Sequence, residues 1–225
     1  MMERDFLPPG RAKALWCWMA FQYLLLPQMV SFALGVFCSD ALVNFVYHLL
    51  SFLGVILILG KSLLSSLRRA AIQWKSCLLT IAAALASYYV CFFVVSALVS
   101  RFAPDFGNRN DEAMVRYFGE SFPLTAAVTV FLAPVTEEVL FRGLLFSGLR
   151  RKSRLGAYLV SCLSFAFIHV AGYLGTYSTA QLFLALAQYL PAGLILSRSE
   201  EKSGTIVVPI LIHMAINAIS LLSIL

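Results

Sequence analysis

Charge is what this sequence has least of. Asp, Glu, Lys and Arg make up 12% of its 225 residues, against 60% hydrophobic residues and a mean hydropathy of +0.85. Soluble domains are about a quarter charged, so a water-soluble globular fold is excluded and an integral membrane protein is expected. Paired cysteine spacing is also missing. Cys17, Cys38, Cys77, Cys91 and Cys162 all lie within apolar stretches and no C-x-x-C occurs, which argues against a disulfide scaffold or a cysteine zinc site. There is no H-E-x-x-H, no internal repeat and no low-complexity segment. The basic residues behind the +6 net charge lie in short runs between apolar stretches. A nucleic-acid binder gathers them on one water-facing surface instead, so no nucleic-acid partner is expected.

What the sequence does have is long apolar runs. Stretches able to cross about 30 Å of hydrocarbon occur at 14–37, 41–60, 76–100, 121–149, 155–173, 179–197 and 205–225. They predict an all-α polytopic helix bundle of about seven crossings (six to eight), forming one integral membrane domain over 1–225. The first run is longer than a signal-peptide core and reads as a transmembrane helix. Residues 101–120, RFAPDFGNRNDEAMVRYFGE, read as the one long extramembrane loop, with turn signals at Pro104, Gly107 and Asn108. Arg4, Arg11 and Lys13, then Lys61, Arg68, Arg69 and Lys75, then Arg150, Arg151, Lys152 and Arg154, then Arg198 and Lys202 fall in alternate loops. The positive-inside rule therefore puts the N-terminus in the cytoplasm. The segment 61–75, KSLLSSLRRAAIQWK, reads equally as an amphipathic surface helix or a charged loop.

Three spans carry polar groups that lipid penalises. Glu137, Glu138 and Arg142 interrupt the fourth, His169 the fifth, and His213 with Asn217 the seventh. Each charge costs about 2.5–3.5 kcal/mol at a helix centre on insertion scales, so intramembrane ionisable residues mark a site by default. Helical spacing puts Glu138 and Arg142 on one face as a candidate ion pair. It turns Glu137 about 100° away from Glu138. Phe165 with His169, and His213 with Asn217, share faces by the same i, i+4 relation. At about 1.5 Å per residue, Glu137 lies roughly 18–20 Å from the cytoplasmic end of its helix and His169 roughly 20 Å. His213 and Asn217 lie roughly 12–18 Å in on the same scale, so the three spans can converge in one layer. A carboxylate, two imidazoles and a carboxamide in a dry cavity suit water activation. A glutamate hydrogen-bonded to an imidazole can take a proton from water as it attacks a carbonyl, and His and Asn donors can stabilise the oxyanion. A proton-relaying transporter and a non-catalytic membrane partner are the rival classes. His48, alone in its span, reads as structural.

EEVLFRG (Glu137 to Gly143), FAFIH (Phe165 to His169) and HMAIN (His213 to Asn217) together resemble the three motifs of the CAAX-processing and bacteriocin-processing (CPBP or Abi) intramembrane proteases: E-E-x-x-x-R, F-x-x-x-H and H-x-x-x-N/B. The resemblance covers a motif-bearing core at roughly 120–225. It implies an endopeptidase in a multi-pass, bacterial-type cell membrane, acting on a membrane-associated peptide or protein. Glu137 and His169 would activate water, His213 and Asn217 would form the oxyanion hole, and Glu138, Arg142 and Phe165 would support them. Relatives are also linked to bacteriocin self-immunity and signalling complexes, some acting by binding. A glutamate mechanism requires no cofactor. A zinc alternative, with Glu137, His169 and His213 as ligands, follows from the family's early description as metalloproteases.

Overall fold

The computed structural model describes residues 6–224, all-helical apart from short connections. Arg4, counted above for topology, lies outside them. The helices are α1 (Pro9–Leu24), α2 (Leu26–Leu34), α3 (Asp40–Ile72), α4 (Trp74–Phe102), α5 (Arg109–Glu120), α6 (Phe122–Arg150), α7 (Arg154–Ala171), α8 (Thr179–Ser203) and α9 (Val207–Leu222). Five of these, α3, α4, α6, α7 and α8, are long and apolar enough to cross a membrane. The pair α1 and α2 makes a sixth candidate span, bent by 44°. The helix α9, with 16 residues, is the seventh expected crossing; at about 1.5 Å per residue it is shorter than the hydrocarbon core. The chain is a multi-pass membrane helix bundle.

Three local expectations change. The run 14–37 breaks at Leu25 because Pro27 begins a new helix, having no N–H to continue the old one. Residues 61–72 are the last turns of the 33-residue α3, and α4 starts two residues later. The expected loop 101–120 contains α5. Asn108 caps it by accepting from Asn110 N (3.0 Å), and Asp111 and Glu112 in its first turn favour the positive end of the helix dipole. The far end of α5 serves α3, whose Ala41 N donates to Glu120 Oε2 (2.8 Å).

The central helix is α6. Half of its most apolar window is buried, against 6% for α4. Two stretches of α6, Ala127–Leu132 and Val139–Phe146, are π-helical, flanking an α-helical turn that carries Glu137 and Glu138. Every residue of Val139–Phe146 is buried, as expected of a stretch that is apolar on every side except at Arg142. Val139, Leu140 and Leu144 pack with Leu15, Val55 and Ile210 on one side. Phe141 and Leu145 pack with Phe165, Leu196 and Ile212 on the other. The ends of α6, α7 and α8 are joined by Ser147 Oγ donating to Glu200 Oε1 (3.0 Å) and by a two-pronged Arg154–Glu201 pair (2.8 and 2.9 Å).

Close backbone approach sets the packing of α1 on α3. A Cβ added at Gly54 would overlap the Trp18 indole. Gly54→Val should therefore destabilise the protein by about 1–3 kcal/mol, the range for overpacked cores. Thermal unfolding in detergent checks this, and an unchanged midpoint would mean that Trp18 can move aside.

Candidate active site

The E-E-x-x-x-R segment of α6 puts its two carboxylates in different surroundings. Glu138 and Arg142 have fully buried side chains, and Arg142 Nη1 donates to Glu138 Oε1 at 3.0 Å. The same oxygen accepts from His213 Nδ1 of α9 at 2.8 Å. The second arm of Arg142 donates to the Gly193 carbonyl of α8 (3.2 Å), and the guanidinium lies 4.4 Å from the Phe165 ring centroid. Two charges out of water are tolerable only when both are paired and hydrogen-bonded. Here α7, α8 and α9 complete the pairing begun within α6.

Glu137 points elsewhere. Its side chain is 12% exposed, and its Oε2 lies 3.9 Å from His169 Nε2. That oxygen has no hydrogen-bond partner among the described residues. His169 Nδ1 is 2.8 Å from the Phe165 carbonyl oxygen. A carbonyl only accepts, so Nδ1 carries a proton, and in the neutral ring Nε2 presents its lone pair. Glu137 Oε2 and His169 Nε2 face each other across a gap too long for a direct hydrogen bond.

Phe165 is the hub of these contacts. Its ring lies 4.7 Å from that of His169, 5.6 Å from that of His213 and 5.7 Å from that of Phe141. The aromatic of F-x-x-x-H therefore touches both histidines and the guanidinium. A second ring holds His169 from α8: Tyr189 stacks on the imidazole at 4.4 Å and 25°.

Asn217 Nδ2 donates to the Thr129 carbonyl at 2.8 Å. In the π-helical stretch Ala133 N–H is given to Val128 O, and the next donor in line would belong to Pro134, which has no N–H. Asn217 satisfies a carbonyl that α6 leaves without a helical donor, and keeps its second amide hydrogen.

The structure brings Glu137 to His169 and His213 to Glu138. Tyr189 and Thr129 were not singled out in the sequence. The Gln188–Tyr189 pair, polar and aromatic within an apolar span, was the available signal for the first. For the second it was Pro134 downstream in the same span. For the zinc alternative, the described residues contain no group of three or more His, Cys, Asp or Glu side chains placed to hold a metal ion. His213 has Nδ1 engaged by Glu138, which leaves Nε2 as its open ring nitrogen.

Residues 119–219 match the family described as type II CAAX prenyl endopeptidase Rce1-like. That is the protease group whose three motifs the sequence resembles. An uncharacterised 24.3 kDa protein of Escherichia coli is 29% identical over 164 residues, covering 69% of this chain and 65% of that protein. The chain thus spans just under two thirds of the length of that curated relative. No solved structure matches.

Proposed function

From the CAAX-protease match over residues 119–219, we propose that this protein is an intramembrane endopeptidase of the glutamate type that hydrolyses a peptide bond in a membrane-associated peptide or protein. The observation that carries the mechanism is the 3.9 Å separation of Glu137 Oε2 and His169 Nε2, which are both acceptors when the carboxylate is ionised and the imidazole neutral. A water giving one hydrogen to each spans such a gap with ordinary hydrogen bonds. Its lone pair then points away from both, toward an incoming carbonyl. Glu137 takes the proton as the oxygen attacks, and delivers it to the departing amine as the tetrahedral intermediate collapses.

The developing oxyanion needs donors. Asn217 offers its uncommitted amide hydrogen. His213, with Nδ1 bonded to Glu138, can donate from Nε2 only when the ring carries both protons. Arg142 holds Glu138 in place, and Glu138 orients the ring. The first carboxylate of the motif handles the proton and the second positions the histidine. Basic-loop asymmetry puts the N-terminus on the cytoplasmic side.

The test compares membrane peptides of cells carrying wild-type protein or Glu137→Gln. A peptide or truncated protein present only with wild type is expected; identical profiles would remove the protease assignment. Cleavage of that substrate by purified protein should persist after treatment with a strong chelator and should not respond to added zinc. Loss on chelation, restored by zinc, would replace this mechanism with a metal-dependent one.

A further inference from the structure

We propose that Tyr189 is a positioning residue that fixes the plane of the His169 ring and is itself held by Asn108 of the polar segment between α4 and α5; the role rests on His169 acting with Glu137. The Nδ1 bond to the Phe165 carbonyl pins one edge of the imidazole but leaves the ring free to tilt about that bond. Stacking of Tyr189 at 4.4 Å and 25° restricts the tilt, so Nε2 stays aimed at Glu137 Oε2.

Tyr189 does not stand alone. Its hydroxyl donates to Asn108 Oδ1 (3.2 Å). Asn108 also donates from Nδ2 to the neighbouring Gln188 Oε1 (2.6 Å) and accepts from Asn110 N (3.0 Å) as the cap of α5. Arg109 N donates to Tyr177 Oη (2.7 Å) just before α8, giving the segment a second anchor. One amide thereby joins the start of α5 to the ring that stacks on the site histidine. This link makes the polar segment between α4 and α5 part of the site's support.

The experiment is ¹⁵N-histidine NMR of the full chain in nanodiscs, paired with cleavage of the substrate found in the peptide comparison. The chain has three histidines, so replacing each in turn assigns the spectrum. Wild type should show His169 with Nδ1 protonated and Nε2 bare. Tyr189→Leu should shift the His169 ring signals toward mixed tautomers while His48 and His213 stay put, and should lower kcat by about tenfold or more at similar KM, the scale expected for misplacing a catalytic group. Tyr189→Phe removes the hydroxyl–amide bond alone and keeps the ring, whereas Asn108→Ala also removes the Gln188 bond and the cap of α5. Tyr189→Phe should produce a smaller shift and lose no more than about threefold in kcat, well inside the cost of misplacing the ring outright, and Asn108→Ala should shift the His169 signals at least as far as Tyr189→Phe. Unmoved His169 signals in folded Tyr189→Leu would overturn the proposal. If that variant does not fold, unmoved His169 signals in Asn108→Ala would overturn it. Failure of the protease assignment appears separately, as Glu137→Gln without effect on any peptide, and leaves the ring measurement intact.

Discussion

Glu137→Gln should lower cleavage by about 10²–10⁴-fold, the usual contribution of a positioned general base, with an unchanged unfolding midpoint. Glutamine keeps the shape of glutamate but cannot take the proton from water. Glu137 Oε2 has no hydrogen-bond partner among the described residues, so the substitution breaks no bond of that oxygen seen there. Stability and rate should therefore separate at this position. The neighbouring carboxylate provides the contrast. Glu138→Gln withdraws the charge that faces both Arg142 and His213, and should lower rate and stability together. The rate comes from cleavage of the identified substrate and the stability from thermal unfolding of the same preparation. A Glu137→Gln protein that cleaves within a few-fold of wild type would show that another group activates the water.

Arg142→Met should cost about 3–5 kcal/mol of stability, because it leaves the fully buried Glu138 as a charge without its cation. It also removes the hydrogen bond to Gly193 O and the contact with the Phe165 ring. Much of that penalty should be recovered when Glu138→Leu is added, since replacing both members of a buried pair by apolar side chains is often close to neutral. Cleavage should not return with it. Without Glu138, His213 loses its 2.8 Å partner and the orientation that an oxyanion donor requires. Chemical unfolding and cleavage on the single and double variants check both halves. Recovery of cleavage in the double variant would show that the second carboxylate serves stability alone.

Apolar run length and i, i+4 spacing are local properties, and they carried much of the architecture. The spacing of Glu138 and Arg142 puts them on one helical face, and they pair there at 3.0 Å. The runs from 41 to 197 correspond to α3, α4, α6, α7 and α8. What was illegible is what depends on a neighbour. Hydropathy cannot tell a polar loop from a polar helix such as α5, whose start is fixed partly by the bonds of Asn108 to α8. Nor does it register the π-helical stretches of α6, in which hydrogen-bond register rather than composition changes.

By itself, the sequence determined that the chain is a membrane helix bundle and which side chains are too polar for lipid, because burying charge in hydrocarbon has a large cost wherever it occurs. Only the tertiary structure decided how those side chains pair across different helices. Two adjacent glutamates of one helix differ by about 100° in direction. Whether each meets an imidazole depends on where α7 and α9 pack. Packing brings His213 to the Glu138–Arg142 pair, turns Glu137 toward His169, and lays Tyr189 on the imidazole. Hydrogen bonds and ring contacts act over a few ångströms, so residues tens of positions apart acquire their partners only once the helices are assembled.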